Sequence, residues 1–161
     1  MGDPPGRPYA NVHHLEIIKM PVNNYSVSEI IMGSIPYGAD LIEELTKTAV
    51  ERGVTVGLVS LIGSVTEASL AFYHQDTKSY ANVEPVKTPM EIVSATGNIS
   101  LKDGAPFVHL HMILSAASGL TVAGHVNRGA KVFACEFTIW KLDGPALERG
   151  YDQTTGLQLW K

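Results

Sequence analysis

Three of the six histidines have the type and spacing to do chemistry. His109 and His111 stand two apart in Phe107-Val108-His109-Leu110-His111-Met112-Ile113-Leu114, and His125 follows in Leu120-Thr121-Val122-Ala123-Gly124-His125-Val126. On an extended strand side chains alternate, so the first two imidazoles share one face while Val108, Leu110 and Met112 share the other. Between the segments lies Ser115-Ala116-Ala117-Ser118-Gly119, small, polar and ended by glycine, which signals a hairpin with a five-residue loop. A loop centred on Ala117 puts His109 directly opposite His125 and His111 on the diagonal, at β-carbon separations of roughly 4.5 to 8 Å. Three imidazoles converging on one side of a rigid hairpin, with a fourth position left to water or substrate, form the ligand set of a catalytic-type zinc site. The competing reading is a half-buried face of hydrogen-bonded histidines and no ion. A one-residue slip in register would send His125 to the opposite face. Gly124 marks the close approach of another group or chain.

Two further residues could serve such a site. Glu91 shares a strand face with Val93 and Ala95, and a carboxylate on an apolar face needs a partner when buried. It reads as a support for a metal ligand, a general acid/base, or a strand-end charge. Arg128, one of four arginines, lies three residues from His125 and could receive an anion bidentately or pair with an acid on a neighbouring subunit. His74 closes a strand before the turn Gln75-Asp76-Thr77-Lys78 and faces solvent. His13 and His14 read as surface residues, and Cys135 as a buried thiol in an apolar strand.

The elements that must position these residues follow from patterning. His14 to Met20 and Val27 to Ile35 read as strands. Asp40 to Arg52 is the one helix: Asp40 and Glu43 form a capping box, and Leu41, Ile42, Leu45, Ala49 and Val50 a stripe. Glu43 and Lys47 pair, and Gly53 supplies the stop. Val54 to Ile62 is apolar enough for both strand faces to be buried. Ser64 to His74 alternates as one half-exposed strand, with Ala68, Leu70 and Phe72 on one face. Met90 to Leu101 is closed by the turn Lys102-Asp103-Gly104. Val132 to Leu142 places Phe133, Cys135, Phe137 and Ile139 on one face. Residues 1–12 read as a flexible arm, 13–143 as the domain and 144–161 as a partly ordered tail with an apolar end that docks.

The 161 residues suit one domain, and 45% hydrophobic with 17% charged content is globular. No apolar run is long enough to span a bilayer and the N-terminus lacks a signal-peptide pattern, so a cytoplasmic protein with no membrane partner is expected. The net charge of −4 argues against a nucleic-acid partner, whose phosphates are met by clustered Lys and Arg. Gly6-Arg7-Pro8 is the core of an AT-hook, but the arginine that should precede it is missing.

One helix among antiparallel strands is an α+β layout, mostly sheet packed with a single main helix. Within it, Met90-Glu91-Ile92-Val93-Ser94-Ala95-Thr96-Gly97-Asn98-Ile99, His109-Leu110-His111, Gly119, Gly124-His125-Val126 and Gly129 resemble the plant-and-prokaryote conserved (PPC) domain. Gly38-x-Asp40 and the run Gly57 to Val65 extend the resemblance to about residues 26–143. It implies an α+β domain on an antiparallel sheet, a homotrimer, and a metal at the three histidines, with Zn²⁺ the default by availability among ions that imidazole suits. Plant relatives join this domain to AT-hooks and bind DNA. The fold is also remotely similar to acetolactate decarboxylase, a zinc lyase, through its histidine spacing alone. Two functions are therefore expected. One is a metal-bearing regulatory module that contacts DNA or protein. The other is a zinc-dependent lyase or hydrolase for a small oxo- or hydroxy-acid ligand, in which Glu91 moves a proton and Arg128 receives a carboxylate. The second requires a concave pocket, an open coordination position and a perturbed carboxylate nearby.

Overall fold

A computed structural model describes residues 22–83 and 85–161. The strand expected from His14 to Met20, the N-terminal arm with its Gly6-Arg7-Pro8, and His13 and His14 lie outside these residues. The described chain runs β1 (Ser26–Ile35), α1 (Leu41–Glu51), β2 (Gly57–Glu67), β3 (Leu70–His74), β4 (Ser79–Asn82), β5 (Met90–Lys102), β6 (Ala105–Ser115), β7 (Thr121–Val126), β8 (Lys131–Asp143), β9 (Glu148–Tyr151) and β10 (Gln158–Trp160). Eight strands form one path in the order β1-β8-β2-β5-β6-β7-β3-β4, every neighbouring pair antiparallel. With one helix against this sheet, the architecture is α+β, as the patterning predicts.

The helix begins where a side chain satisfies its free amides. Asp40 Oδ1 accepts from the backbone N–H groups of Ile42 and Glu43 at 3.1 Å each, and its Oδ2 accepts from Gly129 N–H at 2.6 Å. One buried carboxylate thus caps α1 and ties it to the turn after β7. The expected capping box is only half made, because the Glu43 carboxylate accepts from Arg128 instead. The expected Glu43–Lys47 pair is replaced by Lys47 with Glu44 at 3.7 Å. Leu41, Leu45 and Ala49 are fully buried against the inward face of β6, where Val108, Leu110, Met112 and Leu114 point. Val50, expected in that stripe, is exposed. Gly53 ends the helix at φ +60°.

Three expectations about strand faces are overturned, two of them by β-bulges. Glu91 and Ala95 do not share a face: β5 carries one extra residue opposite Ile92–Ser94, which exposes Glu91 and Val93 and buries Ala95. In β8 the register against β2 slips beside Phe133, so Phe133 is 58% exposed while Cys135, Phe137 and Ile139 line the core. The third concerns β2, which is buried on one face only, since Leu58 and Ile62 are exposed on the other. Ser64 to His74 is also not a single strand. β2 ends at Glu67, Ala68 bridges Val86, and β3 starts at Leu70 with both Leu70 and Ala71 buried.

A tight turn fixes the β5–β6 hairpin. Lys102 pairs with Ala105 across Asp103 and Gly104, both at positive φ (53° and 75°), the backbone that a two-residue hairpin of the primed type requires. The segment read as a tail folds into a second hairpin, β9 with β10, and β9 runs parallel to the end of β5 at Leu101 and Lys102.

Candidate metal centre

The β6–β7 loop sets the geometry. Strand pairing stops at Ser115 and Thr121, leaving five loop residues, 116–120, closed by Ala116 N–H to Leu120 O at 2.9 Å. The loop is thus centred on Ser118, one residue later than the sequence suggests. His111 is directly opposite His125 and His109 is on the diagonal, the reverse of the expected assignment. All three remain on one face, because shifting the centre of an odd loop by one residue moves the register by two. Their ring centroids lie 5.2, 5.0 and 5.5 Å apart, and one nitrogen from each ring falls within 4.8 Å of the others. The triad occupies the sheet face opposite α1.

Two glycines bring the backbones close enough for this. At Gly124 a β carbon would meet the carbonyl oxygen of Ala71 at 2.8 Å, so β3 can press against β7 beside His125. That is the close approach expected of this glycine. At Gly97 a β carbon would lie 2.0 Å from the carbonyl oxygen of His109, so only hydrogen lets β5 support that histidine.

The surroundings favour the neutral form of His109 and His125. Burial lowers the His109 pKa to about 4, with the positive charge of Arg149 and the neighbouring His125 and His111 adding to the effect. His125 is lowered as well, by burial first and then by His111 and Arg149. A neutral ring keeps the lone pair a metal needs. The buried Nδ1 of His125 has no hydrogen-bond partner among the described residues. An unpaired polar atom in such a place is costly, and coordination to an ion would satisfy it. The donor set therefore fits a transition-metal ion.

These shifts carry a consequence for the metal-free protein. Between about 6.5 and about 4 the unfolded chain binds a proton at His109 that the folded protein refuses, so stability falls as pH drops through that window and is flat above it. Thermal melts of metal-free parent and His109→Gln are expected to diverge there, the parent losing more stability on acidification. Parallel profiles would show that burial does not hold this ring neutral.

Arg149, on β9, is the residue that sequence reasoning missed. Its Nε–H donates to Ser100 Oγ at 2.9 Å, Nη1 to the Gln158 carbonyl at 3.0 Å and Nη2 to Asn98 Oδ1 at 2.7 Å. Nη2 also stands 3.4 Å from His109 Nδ1. Phe107 and Trp160 lie under its guanidinium at 5.3 and 5.8 Å. Asn98 and Ser100 alternate on β5, and Asn98 pairs with His109 across the sheet. The sequence signal was the pair Asn98 and Ser100, two polar side chains alternating onto one face of β5, of which the structure fully buries Ser100. Tyr80, from β4, packs its ring 5.3 Å from that of His125.

His109 and His125 form a wall shared by two hollows, and His111 lines the larger. One, of about 490 Å³, lies between the histidines and Phe72, Tyr73, Gln75 and Tyr80. The other, of about 220 Å³, runs from His109 and His125 to Lys102, Phe107 and Arg149 under the C-terminal hairpin.

Glu91 and Arg128 are not brought to this place within the chain. Glu91 pairs with Ser115, four residues beyond His111 along β6, or about 13 Å at strand rise. It lines a separate hollow with Val93 and Phe133. Arg128 is drawn to the helix start, where it contacts Glu43 at 3.3 Å. His74 is exposed at the end of β3, edge-on to Phe72. Cys135 is buried, which pushes its thiol up to about 11 and leaves it inert.

The model of the Plants and Prokaryotes Conserved (PCC) domain matches residues 23–143. The chain belongs to this family. Among solved structures, it is similar to a metal-containing protein from Archaeoglobus fulgidus, with 37% identity, a TM-score of 0.84, and coverage of 88% of this chain and 99% of that one. It is also similar to a candidate DNA-binding protein from Bacteroides thetaiotaomicron, at 26% identity and a TM-score of 0.77 over 86% of this chain and 96% of that one. A stretch of 97 residues, 60% of this chain, is 33% identical to part of the bifunctional protein GlmU from Synechococcus, and spans only 14% of that protein. The family match stops at Asp143, so the hairpin that carries Arg149 lies beyond it.

Proposed function

We propose that this PCC-family chain is a metal-binding module for small molecules that works as a homotrimer in the cytoplasm. A divalent transition ion, zinc by default of availability, is held by His109, His111 and His125. The observation that carries this reading is three imidazoles converging where two hollows meet, one nitrogen of them buried and unpartnered. That a relative from Archaeoglobus fulgidus is a metal-containing protein supports a metal in this chain. Once bound, the ion supplies a Lewis acid and a water of lowered pKa, the chemistry of a lyase or hydrolase for an oxo- or hydroxy-acid. The chain itself packs Tyr80 against the ring of His125 and lines the two hollows with Phe72 and Phe107. No carboxylate lines either hollow among the described residues. The roles of Glu91 in proton transfer and Arg128 in carboxylate binding therefore call for a neighbouring copy. Ile30, Met32, Leu58, Ile62 and Phe133, all at least half exposed, give the trimer an apolar face to bury.

Elemental analysis of the purified protein at neutral pH tests the site. About one ion per chain is expected in the parent and little in His109→Ala, as loss of one of three ligands weakens the site steeply. Equal metal in both would remove the triad from the account. DNA binding is the second reading, favoured by the relative from Bacteroides thetaiotaomicron and opposed by the charge of −4. It requires salt-sensitive retardation of an AT-rich duplex. Under the first reading no retardation is expected at low salt.

A further inference from the structure

Arg149 has no acid. Its hydrogen bonds go to a hydroxyl, a carbonyl and an amide, all neutral, and no carboxylate forms an ion pair with it among the described residues. Lys102 lines the same hollow, rests over Phe107 at 5.3 Å and likewise has no ion pair there. Two cations without counterions thus face one cleft of a chain whose net charge is negative. Half-buried charge left in this way is costly unless something anionic meets it.

The position of Arg149 sharpens the point. A neutral imidazole has one lone pair and one N–H. While Arg149 Nη2 stands 3.4 Å from Nδ1 of His109, that lone pair faces the guanidinium. An ion on Nε2 requires the proton to sit on Nδ1, and an ion on Nδ1 takes the lone pair itself. In either case Arg149 loses its acceptor, and a second positive charge arrives close by. Loading the triad therefore frees a guanidinium donor and deepens the positive field in the cleft.

We propose that the hollow between the histidine triad and Arg149 is a carboxylate subsite that fills together with the metal, Arg149 with Lys102 receiving the carboxylate of a small 2-oxo or 2-hydroxy acid whose second oxygen faces the ion. This rests on the metal reading above and names its ligand class. Arg149 supplies planar, charge-assisted donors of the kind that bind carboxylates. The lobe is small, about 220 Å³, and Phe107, Leu157 and Leu159 give it apolar walls, which suits a short organic acid better than inorganic phosphate. Arg149 on β9 and Leu159 on β10 lie outside the part of the chain that the family model matches, whereas Lys102 and Phe107 lie within it. By linkage, metal and acid must tighten each other by the same factor.

The test uses full-length protein loaded with Co²⁺ and calorimetric titration with 2-oxobutyrate, 2-butanone and inorganic phosphate. The acid is expected to bind the loaded protein at least tenfold more tightly than the metal-free protein, and Co²⁺ affinity is expected to rise by the same factor when the acid is present. Arg149→Gln is expected to weaken the acid by roughly tenfold or more, as loss of a charge-assisted contact does, while still taking up Co²⁺. Lys102→Gln is expected to cause a smaller loss. Equal affinity for the acid in Arg149→Gln and parent overturns the subsite, as does binding of 2-butanone or phosphate as tight as that of the acid. The ketone and phosphate comparisons use the parent alone, so they decide the matter even if Arg149→Gln does not fold. Failure of the parent to take up Co²⁺ would overturn the metal reading instead, and so mark a different fault.

Discussion

Protein saturated with its metal is expected to melt about 5–10 °C above the metal-free form, and His125→Ala is expected to lose almost all of that difference. The figure follows from mass action: free ion at about 100 times its Kd adds about 2.7 kcal/mol, and a chain of this size gains roughly 2–4 °C per kcal/mol. His125 is chosen because its Nδ1 is buried and unpartnered, so it has most to gain from coordination. Each protein is compared with its own metal-free form, which removes the cost of the cavity the substitution leaves. A metal-induced shift in His125→Ala as large as that of the parent would mean that the ion binds elsewhere.

A larger effect on folding is expected from a residue with no side chain at all. Gly97→Ala places a β carbon where the carbonyl oxygen of His109 already lies, 2.0 Å away, with Leu110 Cα at 2.9 Å. Both obstacles are backbone in the middle of the β5–β6 pairing, so neither can swing aside. The expected cost exceeds about 4 kcal/mol, in the class of severe packing and backbone faults, and soluble yield should collapse. Gly119→Ala is the control. Its added carbon meets nothing within 4 Å, and only the positive φ of 84° is strained, at about 1–2 kcal/mol. Urea unfolding of the two variants side by side separates close approach from conformational freedom. Similar midpoints would show that β5 and β6 have room to part.

The face of the triad was legible in the sequence for a reason sturdier than the loop position used to argue it. His109, His111 and His125 all carry odd numbers, and an odd loop of any centre pairs odd positions with odd ones. The loop moved by one residue and the face survived. Local punctuation was equally readable: Asp40 at the helix start, Gly53 at its end and Asp103-Gly104 at the turn each satisfy a backbone requirement set within a few residues. Bulges were not readable, because the extra residues beside Val93 and Phe133 depend on partner strands far along the chain. Each reversed the alternation beyond it, which is why Glu91 was assigned the face of Ala95 and Phe133 that of Cys135. Arg149 was hidden for the same reason. Nearness in sequence favoured Arg128, yet Glu43 holds it at the helix, while 24 residues downstream of His125 a terminal hairpin delivers Arg149 to the ring of His109.

The central claim concerns what the three imidazoles bind, and X-ray absorption at the metal edge of the purified protein measures that most directly. The expected spectrum shows three imidazole nitrogens at about 2.0–2.1 Å and one further light donor from water or ligand. A shell of oxygens alone, a sulfur contribution, or no stoichiometric metal to record would contradict it.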